Sequence, residues 1–129
     1  MLNEIHGPDG LTLRIVDDAP GALEMEAAYS EAAVMPPEHL HPRQDERFEV
    51  LEGAVRAIVG GAERRYESGE SFSVPAGTPH RMAAEAATRL RWEVRPALRT
   101  AEFFERLYSG EITDFPAFFE EFREEIRLG

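Results

Sequence analysis

Neither cysteine nor lysine occurs among the 129 residues. Without cysteine there is no disulfide framework, no thiolate zinc site and no thiol nucleophile, so a metal could be held only by histidine, carboxylate and other oxygen ligands. Without lysine there is no amine for Schiff-base chemistry. All fourteen basic residues are arginine, and they are outnumbered: the formal net charge is -11. That balance leaves no basic face for a nucleic-acid backbone or an anionic membrane. Long hydrophobic runs are missing too, since nothing approaches the roughly 20 apolar residues of a membrane span. The opening MLNEIHGPDG lacks the basic and apolar regions of a secretory signal. The expectation is a soluble, cytoplasmic chain of one domain, long enough to bury a core unaided.

What is present is period-two alternation. LTLRIVDD (11–18) and ALEMEAAY (22–29) alternate apolar and polar residues around a Pro20-Gly21 turn, as half-buried antiparallel strands do. EAAVM (31–35) reads as a further short strand, stopped by Pro36-Pro37. After ERFEVLEG come AVRAIV, a Gly60-Gly61 hairpin signal and AERRYE, then ESFSV, HRMAAEA and TRLRWEVRP, in which Leu90, Trp92 and Val94 share one face. Short strands with turns every eight to twelve residues predict an all-β sandwich or barrel. Beyond Pro96 the period becomes helical. Phe103, Phe104, Leu107 and Tyr108 form one stripe, closed by Ser109-Gly110, and Phe115, Phe118, Phe119, Phe122 and Ile126 form a second, with Asp114 and Pro116 as its start signal. Residues 1–98 thus read as the barrel and 99–129 as an extension of two short helices packed on the barrel or on a partner chain. The aromatic stripe is expected chiefly as packing.

The chemistry gathers in PPEHLHPRQDERFEVLEG (36–53). His39 and His41 are two residues apart, so on an extended strand both imidazoles leave one face roughly 7 Å apart, a spacing suited to one ion. Glu46 shares parity with Phe48 and Val50, the apolar face. A carboxylate there must be neutralised, paired or bound to a cation. A further ligand has to come from another strand. GESFSVPAGTPH (69–80) supplies His80, placed by Pro79 at the head of a strand.

These two stretches resemble the motifs of the cupin family. His39, His41, Glu46 and Gly53 match the first, and Gly69, Pro75, Gly77 and His80 match the second. Ala33 and Ala84 stand where the motifs often have Gly and Asn. The resemblance spans roughly residues 20–95 and implies a double-stranded β-helix (jelly-roll) barrel, often a homodimer, whose four side chains converge on one divalent transition metal. Fe, Mn, Ni, Cu and Zn all accept three imidazoles and a carboxylate, and an octahedral ion keeps two positions open.

Two functions follow. One is a small metal-dependent enzyme acting on a small organic molecule, with an apolar wall from Phe48, Met82 and Trp92. No second inward carboxylate or histidine is placed to serve as a base, which favours oxygenase-like over isomerase chemistry. The other is a non-catalytic module that captures a small ligand. No catalytic residue beyond the ligand set can be named from the sequence.

Overall fold

The computed structural model describes residues 3–129, which form two packed antiparallel sheets and two short helices. In chain order the elements are β1 (Glu4–His6), β2 (Leu11–Ala19), β3 (Ala22–Tyr29), β4 (His39–Leu40), β5 (Asp45–Glu52), β6 (Ala54–Val59), β7 (Ala62–Glu67), β8 (Ser71–Val74), β9 (His80–Ala84), β10 (Thr88–Arg95), α1 (Thr100–Leu107), α2 (Phe115–Glu121) and β11 (Arg127–Leu128). One sheet runs β1-β2-β3-β10-β5-β8 and the other β11-β4-β9-β6-β7. This is the all-β barrel the alternation predicts, in the jelly-roll form that the family resemblance implies.

Register decides what faces inward. Opposite β10, Trp92 meets Phe48 on one side and Met25 on the other, and Leu90 meets Val50 and Ala27. Phe48, Val50, Leu90, Met25 and Ala27 are all buried. Their alternation with exposed Arg and Glu holds each strand to that register, because a one-residue slip would turn every apolar side chain outward. Gly53, between β5 and β6, has φ +84, and a Cβ there would lie 2.4 Å from Ala87 O. Only glycine fits a turn that is both left-handed and closed against a neighbouring backbone.

The stretch 31–35 is not a strand. Ala33 N–H donates to Ala84 O, but Val34 N–H goes to the Asp9 carboxylate and Val34 is exposed, so no ladder forms. The N-terminal segment adds β1, paired antiparallel to β2.

Asp114 caps α2 as its sequence promises, its Oδ1 accepting from Ala117 N at 3.0 Å. The helix ends at Glu121, earlier than the stripe to Ile126 implies. The chain then turns and adds β11 to β4, with Arg127 opposite Leu40 and Leu128 opposite His39. Phe103, Phe118 and Phe122 form a cluster of their own, while Phe104 and Tyr108 pack against the barrel core. Buried Gln44 joins the two parts, its Nε2 donating to Pro96 O, Ala97 O and Thr100 Oγ1 at the start of α1. Outside, arginine and glutamate pair along the sheet, as Arg89 does with Glu26 and Glu52. Such exposed pairs are each worth about 0–1 kcal/mol.

Candidate metal centre and cavity

His39, His41, Glu46 and His80 come together between the two sheets. Antiparallel pairing of β4 with β9 sets His39 directly opposite His80. His41 follows one residue beyond β4, and Glu46 is the second residue of β5. The ring centroids lie 4.4 Å apart for His39 and His80 and 5.1 Å apart for each of the other pairs. The ligand atoms of the three histidines all fall within 4.8 Å of one another. Glu46 Oε1 is 3.0 Å from His41 Nε2 and 3.0 Å from His80 Nε2.

Each ring is oriented from behind. His39 Nδ1 donates to Pro37 O at 3.2 Å, His80 Nδ1 to Thr78 O at 2.9 Å, and His41 Nδ1 to Glu125 O at 2.7 Å. A carbonyl can only accept, so each Nδ1 carries a proton, and each Nε2 faces the shared space as a lone pair when its ring is neutral and as a donor when it is charged. Glu46 Oε2 accepts from Trp92 Nε1 at 2.8 Å, whereas buried Oε1 has no hydrogen-bond donor. Its two neighbours at 3.0 Å, the His41 and His80 Nε2 atoms, are acceptors as well while their rings are neutral. Such a convergence is unfavourable until a cation or a proton enters it. Two donor atoms bound at ~2.1 Å at right angles on one ion lie ~3.0 Å apart, which matches the Glu46–histidine separations. The residues present therefore fit a divalent metal.

Without metal a proton takes that place. Burial opposes charge on His41, but the hydrogen bond and charge of Glu46, with the Glu125 carbonyl, outweigh it and raise the imidazole. Burial alone would push the Glu46 acid up; hydrogen bonds from His41 and His80 and their charge bring it down to about 2. Burial, and then neighbouring His80, push His39 down to about 4.

The signs give a pH profile for the metal-free protein. Between pH 6.5 and about 4 the unfolded chain takes up a proton that folded His39 refuses, so stability falls with acid. From 4.5 toward 2 the Glu46 contribution is lost as well. His41 acts oppositely, stabilising below 6.5 and losing that contribution as pH rises through its raised value. The site's contribution to Tm in chelator-treated protein is expected to peak near pH 6.5. A rise continuing to pH 9 in a thermal-shift series would contradict it.

Beside these four side chains lies a cavity of about 240 Å³. Phe48, Met82 and Trp92 are among the residues that line it. The roof departs from expectation: Phe103, Phe104, Leu107, Tyr108, Phe119, Ile126 and Leu128 line it, so the C-terminal stripe contributes to the cavity besides packing on itself. Leu11, Leu13, Tyr29, Pro36 and Pro37 complete the lining. Sequence reasoning missed Tyr29, Tyr108 and the Glu125 carbonyl. A Tyr closing a strand and one closing a helix carry no motif, and a backbone acceptor 84 residues from its histidine has no side-chain signature.

The two-sheet barrel with this ligand cluster defines a class, and the chain belongs to the cupin family, whose profile, Cupin domain, matches residues 25–94. Among solved structures it is similar to KdgF from Halomonas sp. (24% identity, TM-score 0.66, covering 74% of this chain and 86% of that one). It is also similar to an RmlC-like cupin from Shewanella frigidimarina NCIMB 400 (22%, 0.68, 77% and 88%). A third is Streptomyces Pac13, a nucleoside dehydratase (15%, 0.60, 76% and 78%). At these identities the likeness is one of fold. No curated protein matches the sequence. Among the described residues no helix is long and apolar enough to cross a membrane.

Proposed function

We propose that this cupin is a metal-dependent enzyme with oxygenase-like chemistry on a small, mostly apolar organic molecule. His39, His41, Glu46 and His80 hold one divalent transition metal. The observation that carries this reading is the convergence of buried Glu46 Oε1 with the His41 and His80 Nε2 atoms, each at 3.0 Å, beside a third histidine whose ligand atom lies within 4.8 Å of theirs. A bound ion supplies Lewis acidity and open positions at which a substrate's oxygen group and a co-reactant meet.

The chain's own residues do the rest. Pro37, Thr78 and Glu125 carbonyls fix the imidazoles, and Trp92 fixes the second Glu46 oxygen. Phe48, Met82 and the roof exclude water from the reacting end. Apart from the four ligands, the only titratable side chains lining the cavity among the described residues are Tyr29 and Tyr108. Burial, then Tyr108 and Asp9, push the Tyr29 phenol up to about 12, and burial raises Tyr108. Both stay protonated and neither is a base, which supports dioxygen chemistry over proton shuttling. A nucleoside such as the uridine bound by Pac13 suits this lining poorly, since its polar groups would go unpaired. A binding module without turnover is the second reading, since fold and ligand set are shared by proteins with and without turnover.

Elemental analysis of protein purified without chelator or nickel resin should find close to one transition-metal ion per chain, with anomalous scattering between the three histidines. Oxygen-electrode assays of the Fe(II)-loaded protein across enolic and phenolic substrates should show consumption. A persistent blank with both iron and manganese would remove the oxygenase version and leave the binding module.

A further inference from the structure

The cavity has a second polar end. Along β3 the inward residues run Leu23, Met25, Ala27, Tyr29, and across β10 these levels match Glu46, Phe48 and Val50 on β5, with Tyr29 one level further, beside Leu11 and Thr88. Six residues of strand, roughly 20 Å of backbone, separate the level of Glu46 from that of Tyr29. Tyr108 reaches the same end from the roof. Trp92 meets Phe104 edge-on at 5.3 Å, and Phe104 stacks on Tyr108 at 6.0 Å, so one aromatic wall runs from the metal centre to the phenol. The Tyr108 ring is fixed on its other side by Gly7, where even a Cβ would lie 3.2 Å from Cε2.

Both tyrosines line the cavity, half-buried, and no hydrogen bond to another described residue engages either hydroxyl. No arginine lines the cavity, so an anionic group at this end would have no counter-charge. The raised phenols keep their protons and offer donors. We infer that Tyr29 and Tyr108 form a second recognition site within the cavity, and that the ligand is a single-ring-sized molecule with a metal-binding head, an apolar body and an uncharged hydrogen-bond acceptor at its far end. This rests on the metal-centre reading above. The size follows from the volume, which lies below the usual 300–1,000 Å³ of sites for larger ligands.

A probe series tests it: benzohydroxamate as chelating head, carrying para-methyl, para-carboxylate or para-acetyl, the acetyl attached directly or through one or two methylenes. Binding to the Mn(II)-loaded full chain is measured by calorimetry. At least one acetyl probe should bind about 10-fold more tightly than the methyl probe, the worth of one to two hydrogen bonds, and the carboxylate probe more weakly than either. Tyr29→Phe and Tyr108→Phe should each remove several-fold of the acetyl advantage and leave the methyl probe unchanged. Equal loss for acetyl and methyl probes, or no acetyl advantage in the unmodified protein, would reduce the tyrosines to packing and overturn the inference. Failure of unsubstituted benzohydroxamate to bind more tightly with metal than without would instead overturn the metal-centre reading, and this inference with it.

Discussion

Glu46→Gln is expected to weaken metal binding by at least about 100-fold while leaving the metal-free fold within about 1 kcal/mol of its original stability at pH 8. The reasoning is geometric. Loss of a partner that merely orients a ligand costs 10–100-fold in affinity, so loss of a direct anionic ligand should cost no less. The amide keeps one oxygen to accept from Trp92 Nε1 and gains an N–H₂ where Oε1 stood, 3.0 Å from the His41 and His80 lone pairs. A donor then faces acceptors, and the group that titrates toward pH 2 is gone, so that part of the acid transition should vanish. Metal titration followed by thermal melts separates the two effects. If the carboxylate were there mainly to hold a buried ion pair with His41, the variant would lose about 3–5 kcal/mol without metal and little affinity with it.

Phe122→Ala should be the most destabilising single change in the C-terminal segment, costing about 3–5 kcal/mol. Phe122 is fully buried between Phe103 and Phe118, with the Arg99 and Arg106 guanidinium groups over its ring at 4.4 and 5.2 Å. The corresponding fall in Tm is on the order of 10–20 °C for a chain of this size. The more telling effect is at a distance. Phe122 O accepts from Glu125 N and Ile126 N, and that turn is what carries the Glu125 carbonyl to His41 Nδ1. Loosening it should cost roughly 10–100-fold in metal affinity, as loss of a ligand's orienting partner does. Phe115→Ala, half exposed at the head of the same helix, should change stability by no more than about 0.5 kcal/mol and affinity not at all. Stability lost with affinity intact would mean that the tail only covers the barrel.

The contrast shows what the sequence could carry. Glu46, Phe48 and Val50 declare their common face because a strand has a fixed period of two, and the two histidine motifs bring their own spacing. The segment 31–35 misled because its alternation is too short to distinguish a ladder from a chain whose N–H groups are satisfied elsewhere, here by Ala84 and Asp9. The stripe from Phe115 to Ile126 was legible as apolar but not as helix throughout. Ile126 stays inward across a turn, since the same face can be kept by a chain that has stopped being helical. Glu125 acts through its carbonyl, which every residue possesses, so nothing in its identity marks the position. The cavity roof is likewise a matter of where a tail lands.

Trp92 is the single tryptophan of the chain, and its indole N–H rests on Glu46 while its ring walls the cavity. The protein therefore contains its own optical reporter: indole emission comes from one place, a hydrogen bond away from the metal centre. Paramagnetic ions should quench it and ligands displacing cavity water should shift its colour, so occupancy can be followed in solution without a dye or a label.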